Sequence, residues 1–369
     1  MKAKAAVLER FNQPLALREF EVQPLAEGEV LVRIAAAGVC GSDVHMWRGK
    51  DPRTPLPMIL GHEGVGFVAD TGGEKRDLLG RVLRPGDKVM WERGVMCGRC
   101  YYCVVRKEPS LCPHRRTYGI SFSCAEPPHL RGCYAECLHV KAGAPFIRID
   151  DPIDPAVLVA ASCSGATAAH AVEVSRIRPG DVVLVVGPGP VGLFCLAFAL
   201  KAGASRVYVS GTPADASRLG MARAFGAAGT LNVGEMSAEQ RKQFLLDVTG
   251  GFGPNVILDC TGSVRALEEN IALVAPGGTY AIPGIAEPRE RFPVDLFAWI
   301  ARKNVALQGV WVSDTNHLWQ AIQLVLSHQF PFERLVTHTF ALEQAMAGLA
   351  AVEKCEAVKA VLKLGSHNP

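Results

Sequence analysis

The chain has 369 residues, room for two domains at about 150 residues each. Apolar residues make up 49% and charged residues 20%, a balance that buries a core and excludes a largely disordered chain. Lys and Arg number 39 against 36 Asp and Glu, and the resulting +3 is spread along the chain, which argues against a nucleic-acid partner.

The N-terminal MKAKAAVLERF has neither a long apolar stretch nor a cleavage-like pattern, so a cytoplasmic protein without a secretory leader is expected. Up to about residue 150 the sequence reads as β-rich, with apolar runs such as EVLVRIAAAGV and GDKVMW set between Gly and Pro. The extra sequence between Gly66 and Gly86, around GGEKRDLLG, is expected to be a surface loop. From about residue 156 the strand candidates VVLVVG, RVYVSG, NVILDC and GTYAIPG alternate with helix-like segments, the pattern of a parallel α/β sheet built from βαβ units. Val182 to Leu200 carries no charge and is long enough to span a membrane, but Gly187-Pro188-Gly189-Pro190 breaks it. A buried strand, a turn and a packed helix fit better. The tail reads as two helices, HLWQAIQLVLSHQ and LEQAMAGLAAVE, and a final strand, AVKAVLKL.

Three groups of residues carry chemistry. Gly187-Pro188-Gly189-Pro190-Val191-Gly192 is a G-x-G-x-x-G between an apolar strand and a helix. Its glycines allow a tight turn, close approach to a pyrophosphate and close helix packing, and the helix N-terminus favours anions. The next strand ends in Ser210-Gly211-Thr212 rather than in a carboxylate, with Arg218 beyond. Without a carboxylate to repel a 2′-phosphate, the reading leans to NADP over NAD, although Asp215 is close in sequence.

Twelve cysteines are unusual for a cytoplasmic chain, and seven fall between Cys97 and Cys137. Cys97, Cys100, Cys103 and Cys112 have the spacing of a closed, structural zinc site, which pins a loop with few apolar residues of its own. Cys124, Cys133 and Cys137 match no such spacing and are read as buried or incidental. Cys40, His62 with Glu63, and Cys163 are far apart in sequence. They could supply three ligands of a catalytic zinc, but by composition alone His62 reads more readily as a turn residue and Cys163 as core. Met46, Trp47 and Trp91 read equally as pocket wall and as core.

GVCGSDVHMW, GHEGVG, RPGDKV, the four-cysteine loop, GPGPVG and THTFALEQAMAGLAA…KAVLKL occur in the order seen in the zinc-dependent medium-chain alcohol/polyol dehydrogenases. The chain resembles that family over essentially its whole length. The resemblance implies a GroES-like catalytic domain over residues 1–163, containing the structural zinc loop 97–112. It also implies a Rossmann, doubly wound coenzyme domain over 164–312, a segment 313–369 returning to the catalytic domain, and an active site in the cleft between the two domains. It further implies two zincs per chain, one structural and one held by Cys40, His62 and Cys163. Glu63 would sit beside the metal, Asp43 would orient the ligand histidine, Ser42 would touch the substrate oxygen and His45 would relay a proton outward. Gly187, Gly189, Pro190, Val191, Gly192, Ser210, Gly211, Thr212 and Arg218 would bind NAD(P). The implied reaction is reversible oxidation of a small alcohol or polyol to the aldehyde or ketone, by a homodimer or homotetramer with no nucleic-acid or membrane partner.

Two features depart from the family pattern. Eight residues rather than seven separate Cys103 from Cys112, and Cys163 stands where the polyol branch often has Glu. Two other classes of function compete. A zinc-free NADPH-dependent enone or quinone reductase would need none of Cys40, His62 and Cys163. A non-catalytic dinucleotide or metal sensor would rest on the additional cysteines.

Overall fold

Residues 1–284 and 291–365 are described in the computed structural model of the chain, so the last four residues of the expected C-terminal segment lie outside them. The chain divides into two units, one of Met1–Cys163, Asp314–Leu326 and Leu335–Pro369, the other of Ser164–Ser313 and Ser327–Arg334.

The first unit is organised around the strand Val30–Val39, whose Val, Leu, Ile and Ala side chains are nearly all buried. It pairs antiparallel with Gly64–Thr71 along one edge. Along the other edge, Val30–Arg33 pairs with Cys137–Val140 and Ala36–Val39 with Lys359–Lys363. The sheet continues through Lys88–Trp91 to Phe146–Arg148 on one side and through Val336–Phe340 on the other. A smaller sheet joins Ala16–Glu21, Lys2–Leu8 and Met58–Ile59. The register sets Ala360 opposite Val39, so the final strand runs directly beside Cys40. Met46, Trp91, Cys124, Cys133 and Cys137 all belong to this unit's hydrophobic core, and Trp47 packs against it.

Between Gly66 and Gly86 the chain exposes Leu78 and Leu79 but buries Asp77. The Asp77 carboxylate accepts hydrogen bonds from the backbone N–H groups of Leu79 and Arg81 and from Arg81 Nε, which ties the turn together.

The second unit holds a parallel sheet in the order Gly229–Asn232, Arg206–Gly211, Val182–Val186, Val256–Asp259, Thr279–Ile282, Ala306–Gly309. The strands run outward in both directions from Val182–Val186, the order of a doubly wound dinucleotide-binding fold. Val182–Val186 is buried at every residue, as expected of a strand covered on both faces. Gly229–Asn232, short and only partly buried, offers no periodic signal in sequence. Residues 327–334 group with this unit, where Phe332 stacks on Phe194 at 4.5 Å and meets Phe225 edge-on. Among the described residues no single helix is long and apolar enough to cross a membrane.

Candidate metal centres and dinucleotide cleft

Strand Val30–Val39 ends at Cys40, which caps the helix Gly41–Trp47. The cap is reciprocal, because the backbone N–H of Cys40 donates to Asp43 Oδ2 at 2.8 Å. Tyr134 Oη donates to the same oxygen at 3.2 Å. The other carboxylate oxygen, Asp43 Oδ1, lies 3.2 Å from His62 Nδ1. Both groups are fully buried, and neither atom has another hydrogen-bond partner among the described residues. The pairing places a proton on Nδ1 and makes Nε2 the ring's candidate ligand atom. On its own, burial would lower the His62 pKa. Asp43, and after it Cys40, outweigh burial and raise it to about 10.

Cys40, His62, Glu63 and Cys163 bring one donor atom each to within 4.8 Å of one another. A hydrogen bond from Cys163 holds the Cys40 pKa well below the usual range, and the same contact holds that of Cys163 well above it. A divalent cation displaces such a proton, and two sulfurs with one imidazole nitrogen form a donor set suited to zinc. Ser42 Oγ donates to Cys40 Sγ at 3.3 Å and lies 3.3 Å from His62 Nε2. His45 follows one turn later on the same helix, half-buried.

Two basic residues that the sequence reading did not single out also belong to this cluster. Lys359 Nζ donates to both oxygens of Glu63, at 3.0 and 2.8 Å, and both side chains are buried. Burial opposes the lysine's charge, but Glu63 and Cys40 outweigh it and raise its pKa. Gly38 makes room for this arrangement, since a β-carbon there would lie 1.9 Å from Glu63 Oε2. Arg93 is buried too, and the fields of Cys163, Glu92, Cys40 and Glu63 overcome burial to keep it charged.

The second cluster joins Cys97, Cys100, Cys103 and Cys112, again with all donor atoms within 4.8 Å. Sulfur separations are 3.5 Å for Cys100–Cys103, 3.8 Å for Cys100–Cys112 and 3.6 Å for Cys97–Cys112. Tetrahedral zinc with Zn–S bonds of about 2.3 Å requires S···S edges of about 3.8 Å, and these three separations are close to that value, so the four sulfurs could hold one such ion. The backbone N–H of Arg99, with that of Cys100, helps bring the Cys97 thiol down to about 6 despite some desolvation. The eighth residue between Cys103 and Cys112 does not prevent convergence.

In the second unit, Gly187 has φ +95° and Gly189 caps the helix Pro190–Lys201, with Pro190 at its first position. A β-carbon on Gly192 would lie 1.9 Å from the Gly187 carbonyl oxygen, so only glycine lets the helix approach the turn. Val191 is half-buried in the first turn of that helix. A cleft of about 560 Å³ is lined by Gly187, Ser210, Gly211, Thr212, Asp215 and Arg241, among others. Arg218 is not among the lining residues; its Nη1 donates to Asp215 Oδ1 at 3.0 Å. Thr212 Oγ1 donates to the other oxygen of Asp215 at 2.7 Å. Arg241 and Arg265, both lining the cleft, share Glu269 at 2.6 and 2.9 Å.

Residues 26–151 match the Alcohol dehydrogenase GroES-like domain family, and residues 190–327 match the Zinc-binding dehydrogenase family. A 5-exo-hydroxycamphor dehydrogenase of Pseudomonas putida is 31% identical over 367 residues, covering 98% of both chains. The chain belongs to the zinc-binding alcohol dehydrogenase family. A sorbitol dehydrogenase of Mus musculus is 31% identical to this dehydrogenase and covers 95% of it, with 92% of the mouse chain matched. The crystal structure of an alcohol dehydrogenase from Thermotoga maritima superposes with a TM-score of 0.95 at 44% identity, over 99% of this dehydrogenase and 100% of that chain.

Proposed function

We propose that this dehydrogenase reversibly converts a small alcohol or polyol to its aldehyde or ketone. The observation that carries the reading is the convergence of Cys40, His62 and Cys163, drawn from distant segments, on one point beside Glu63. Zinc bound there supplies Lewis acidity that lowers the pKa of a substrate hydroxyl. A nicotinamide cofactor supplies the hydride acceptor.

The chain's own residues then have distinct tasks. Cys40 and Cys163 bind as thiolates and His62 through Nε2, with Asp43 holding the imidazole tautomer. Ser42 receives the proton of the substrate hydroxyl, a role supported by its 3.3 Å contacts to Cys40 Sγ and His62 Nε2, and His45 relays it outward. Cys97, Cys100, Cys103 and Cys112 hold a second, structural zinc. We assign these functions to residues 1–163 with the returning C-terminal strand, and coenzyme binding to residues 164–312.

For the cofactor we favour NADP. Strand Arg206–Gly211 ends without a carboxylate, Asp215 is tied by Thr212 and Arg218, and Arg241 and Arg265 add two cations against the single Glu269. Gly187, Gly189, Pro190, Val191 and Gly192 cradle the pyrophosphate. Assembly into a dimer or tetramer through the edge strand Ala306–Gly309 is supported by exposed Leu307 and by Trp311 just beyond.

The test is a screen of primary alcohols, secondary alcohols and polyols with each nicotinamide cofactor, alongside metal analysis. We expect two zincs per chain, and we expect Cys163→Ala to lose one of them and more than about 100-fold in turnover while remaining folded. Undiminished turnover in zinc-depleted protein would end this reading.

A further inference from the structure

A short hairpin next to the catalytic cluster carries two buried arginines. Gly94–Val95 pairs antiparallel with Arg116–Thr117, and the four-cysteine loop leaves and rejoins the chain at this hairpin. The Arg93 carbonyl accepts the Tyr118 N–H at 3.1 Å. Arg115 folds back along the hairpin toward Arg93, since a β-carbon on Gly94 would lie 2.7 Å from its Nε and Nη2. Beyond Thr117, a β-carbon on Gly119 would lie 2.0 Å from the Gly61 carbonyl oxygen, so the hairpin runs against the residue before His62.

Arg93 is 6% exposed and the Arg115 side chain 8%. Burial opposes the Arg93 charge, and Cys163, then Glu92, Cys40 and Glu63 sustain it. Burial and then Arg93 bring Arg115 down to about 10, with Arg53 adding to the effect and Glu92 and Cys163 opposing it. These charges do not balance. Arg53 is held by Asp51 at 2.9 and 2.6 Å, and Glu63 by Lys359. Zinc bound by two thiolates and a neutral imidazole carries no net charge, which removes Cys40 and Cys163 as counter-ions. Glu92 is then the chief carboxylate facing two guanidiniums. Its Oε1 accepts the Gly94 N–H at 2.7 Å and stays 3.9 Å from Arg115 Nη2. Arg115 Nη1 donates to Thr117 Oγ1 at 2.8 Å, but Nε and Nη2 have no hydrogen-bond partner among the described residues. Buried donors are costly to leave unpaired, and the two oxygens of a carboxylate suit a guanidinium fork.

We propose that Arg93 and Arg115 bind an anionic group of the substrate, so that this dehydrogenase acts on alcohols bearing a carboxylate, hydroxy acids and sugar acids, in preference to neutral ones. The proposal rests on the reading of Cys40, His62 and Cys163 as a catalytic zinc site and narrows its substrate class. A single carboxylate matches the excess of one cation over Glu92 better than a phosphate dianion does. The carboxylate takes no part in the reaction: the carbinol carbon gives its hydride to the nicotinamide, and the hydroxyl gives its proton to Ser42.

The test compares hydroxy acids and sugar acids of three to six carbons with their neutral amides and with phosphate monoesters of the same length, using each nicotinamide cofactor. The acid is expected to exceed its amide by at least about tenfold in kcat/KM. In Arg115→Met and in Arg93→Gln that ratio is expected to fall toward one, with KM for the acid rising; a merely structural arginine would depress both substrates together and leave the ratio alone. If one variant does not accumulate as folded protein, the other carries the same expectation, and the wild-type ratio needs neither. Calorimetric titration of the zinc-loaded protein with non-oxidisable dicarboxylates of the same lengths gives a readout apart from turnover, with affinity at least about tenfold weaker in either variant. An amide used as well as its acid, a phosphate monoester used better, or a ratio or dicarboxylate affinity unchanged in the variants overturns the proposal. Turnover of neither acids nor neutral alcohols overturns the zinc-dehydrogenase reading instead.

Discussion

Gly38→Ala tests how tightly the slot around Glu63 is built. The added β-carbon would lie 1.9 Å from Oε2 and 3.0 Å from Cδ of Glu63. An ordinary carbon–oxygen approach is about 3.3 Å, so the carboxylate has to retreat by about 1.4 Å. That displacement stretches or breaks the 2.8 Å bond to Lys359, which has no solvent to turn to. Overpacking alone costs about 1–3 kcal/mol. Separating a buried ion pair costs about 3–5 kcal/mol, because one charge is left without its partner. A destabilisation of about 3 kcal/mol is therefore expected, which lowers Tm by about 6–12 °C for a unit of this size. Thermal unfolding of the zinc-loaded protein reads it directly. The control is the same substitution in a Glu63→Ala background, where the clash is gone and the penalty should shrink by at least about 1 kcal/mol. A Gly38→Ala protein that melts within a degree of wild type refutes the reasoning, as does a penalty of equal size in both backgrounds.

Chelation of the four-cysteine site should open residues 97–112 to trypsin at Arg99, Arg106 and Lys107, all exposed, and re-addition of zinc should restore resistance. Digestion at equal rates with and without metal would show that the loop stands unaided. For Asp77, burial pushes the carboxyl pKa upward, but the Arg81 guanidinium and the backbone N–H groups of Arg81 and Leu79 outweigh it and hold it below the usual value. A depressed native pKa stabilises the fold fully above the unfolded-state value of about 3.9, and the gain disappears as pH falls through the native value. Asp77→Asn should accordingly cost about 1.5–3 kcal/mol at neutral pH in urea titrations, and the gap to wild type should close under acid conditions. A gap that does not change between pH 7 and strongly acid solution would show that the charge contributes nothing.

The parallel sheet was legible because strands buried on both faces are written as unbroken apolar runs. Val182–Val186 is such a run, and it lies at the centre of the sheet. The four-cysteine site was legible from spacing, since its ligands come from one loop. The trio of Cys40, His62 and Cys163 was not, because nothing local links a strand end, a turn and the start of a helix; there the family resemblance supplied what spacing could not. Lys359 was hidden for a different reason. It lies four residues before Lys363 and therefore on the same face of the strand, yet one is buried against Glu63 and the other is half-exposed beside Asp154. Alternation cannot distinguish them when the partner of one is 296 residues away. Arg218 has a contact that sequence alone does not show, since the fold pairs it with an aspartate three residues earlier.

The order in which the first unit receives its strands bears on how the protein is made. Val30–Val39 pairs with a strand that ends at Lys363, so a ribosome that has released every candidate ligand through Cys163 must still add about 200 residues, about 10–40 s of synthesis, before the lysine beside Glu63 exists. During that interval the nascent chain carries a buried-site carboxylate with no ammonium to neutralise it and an unfilled lane in its sheet. The ion pair of Lys359 with Glu63 thereby forms only long after the candidate ligands have been made.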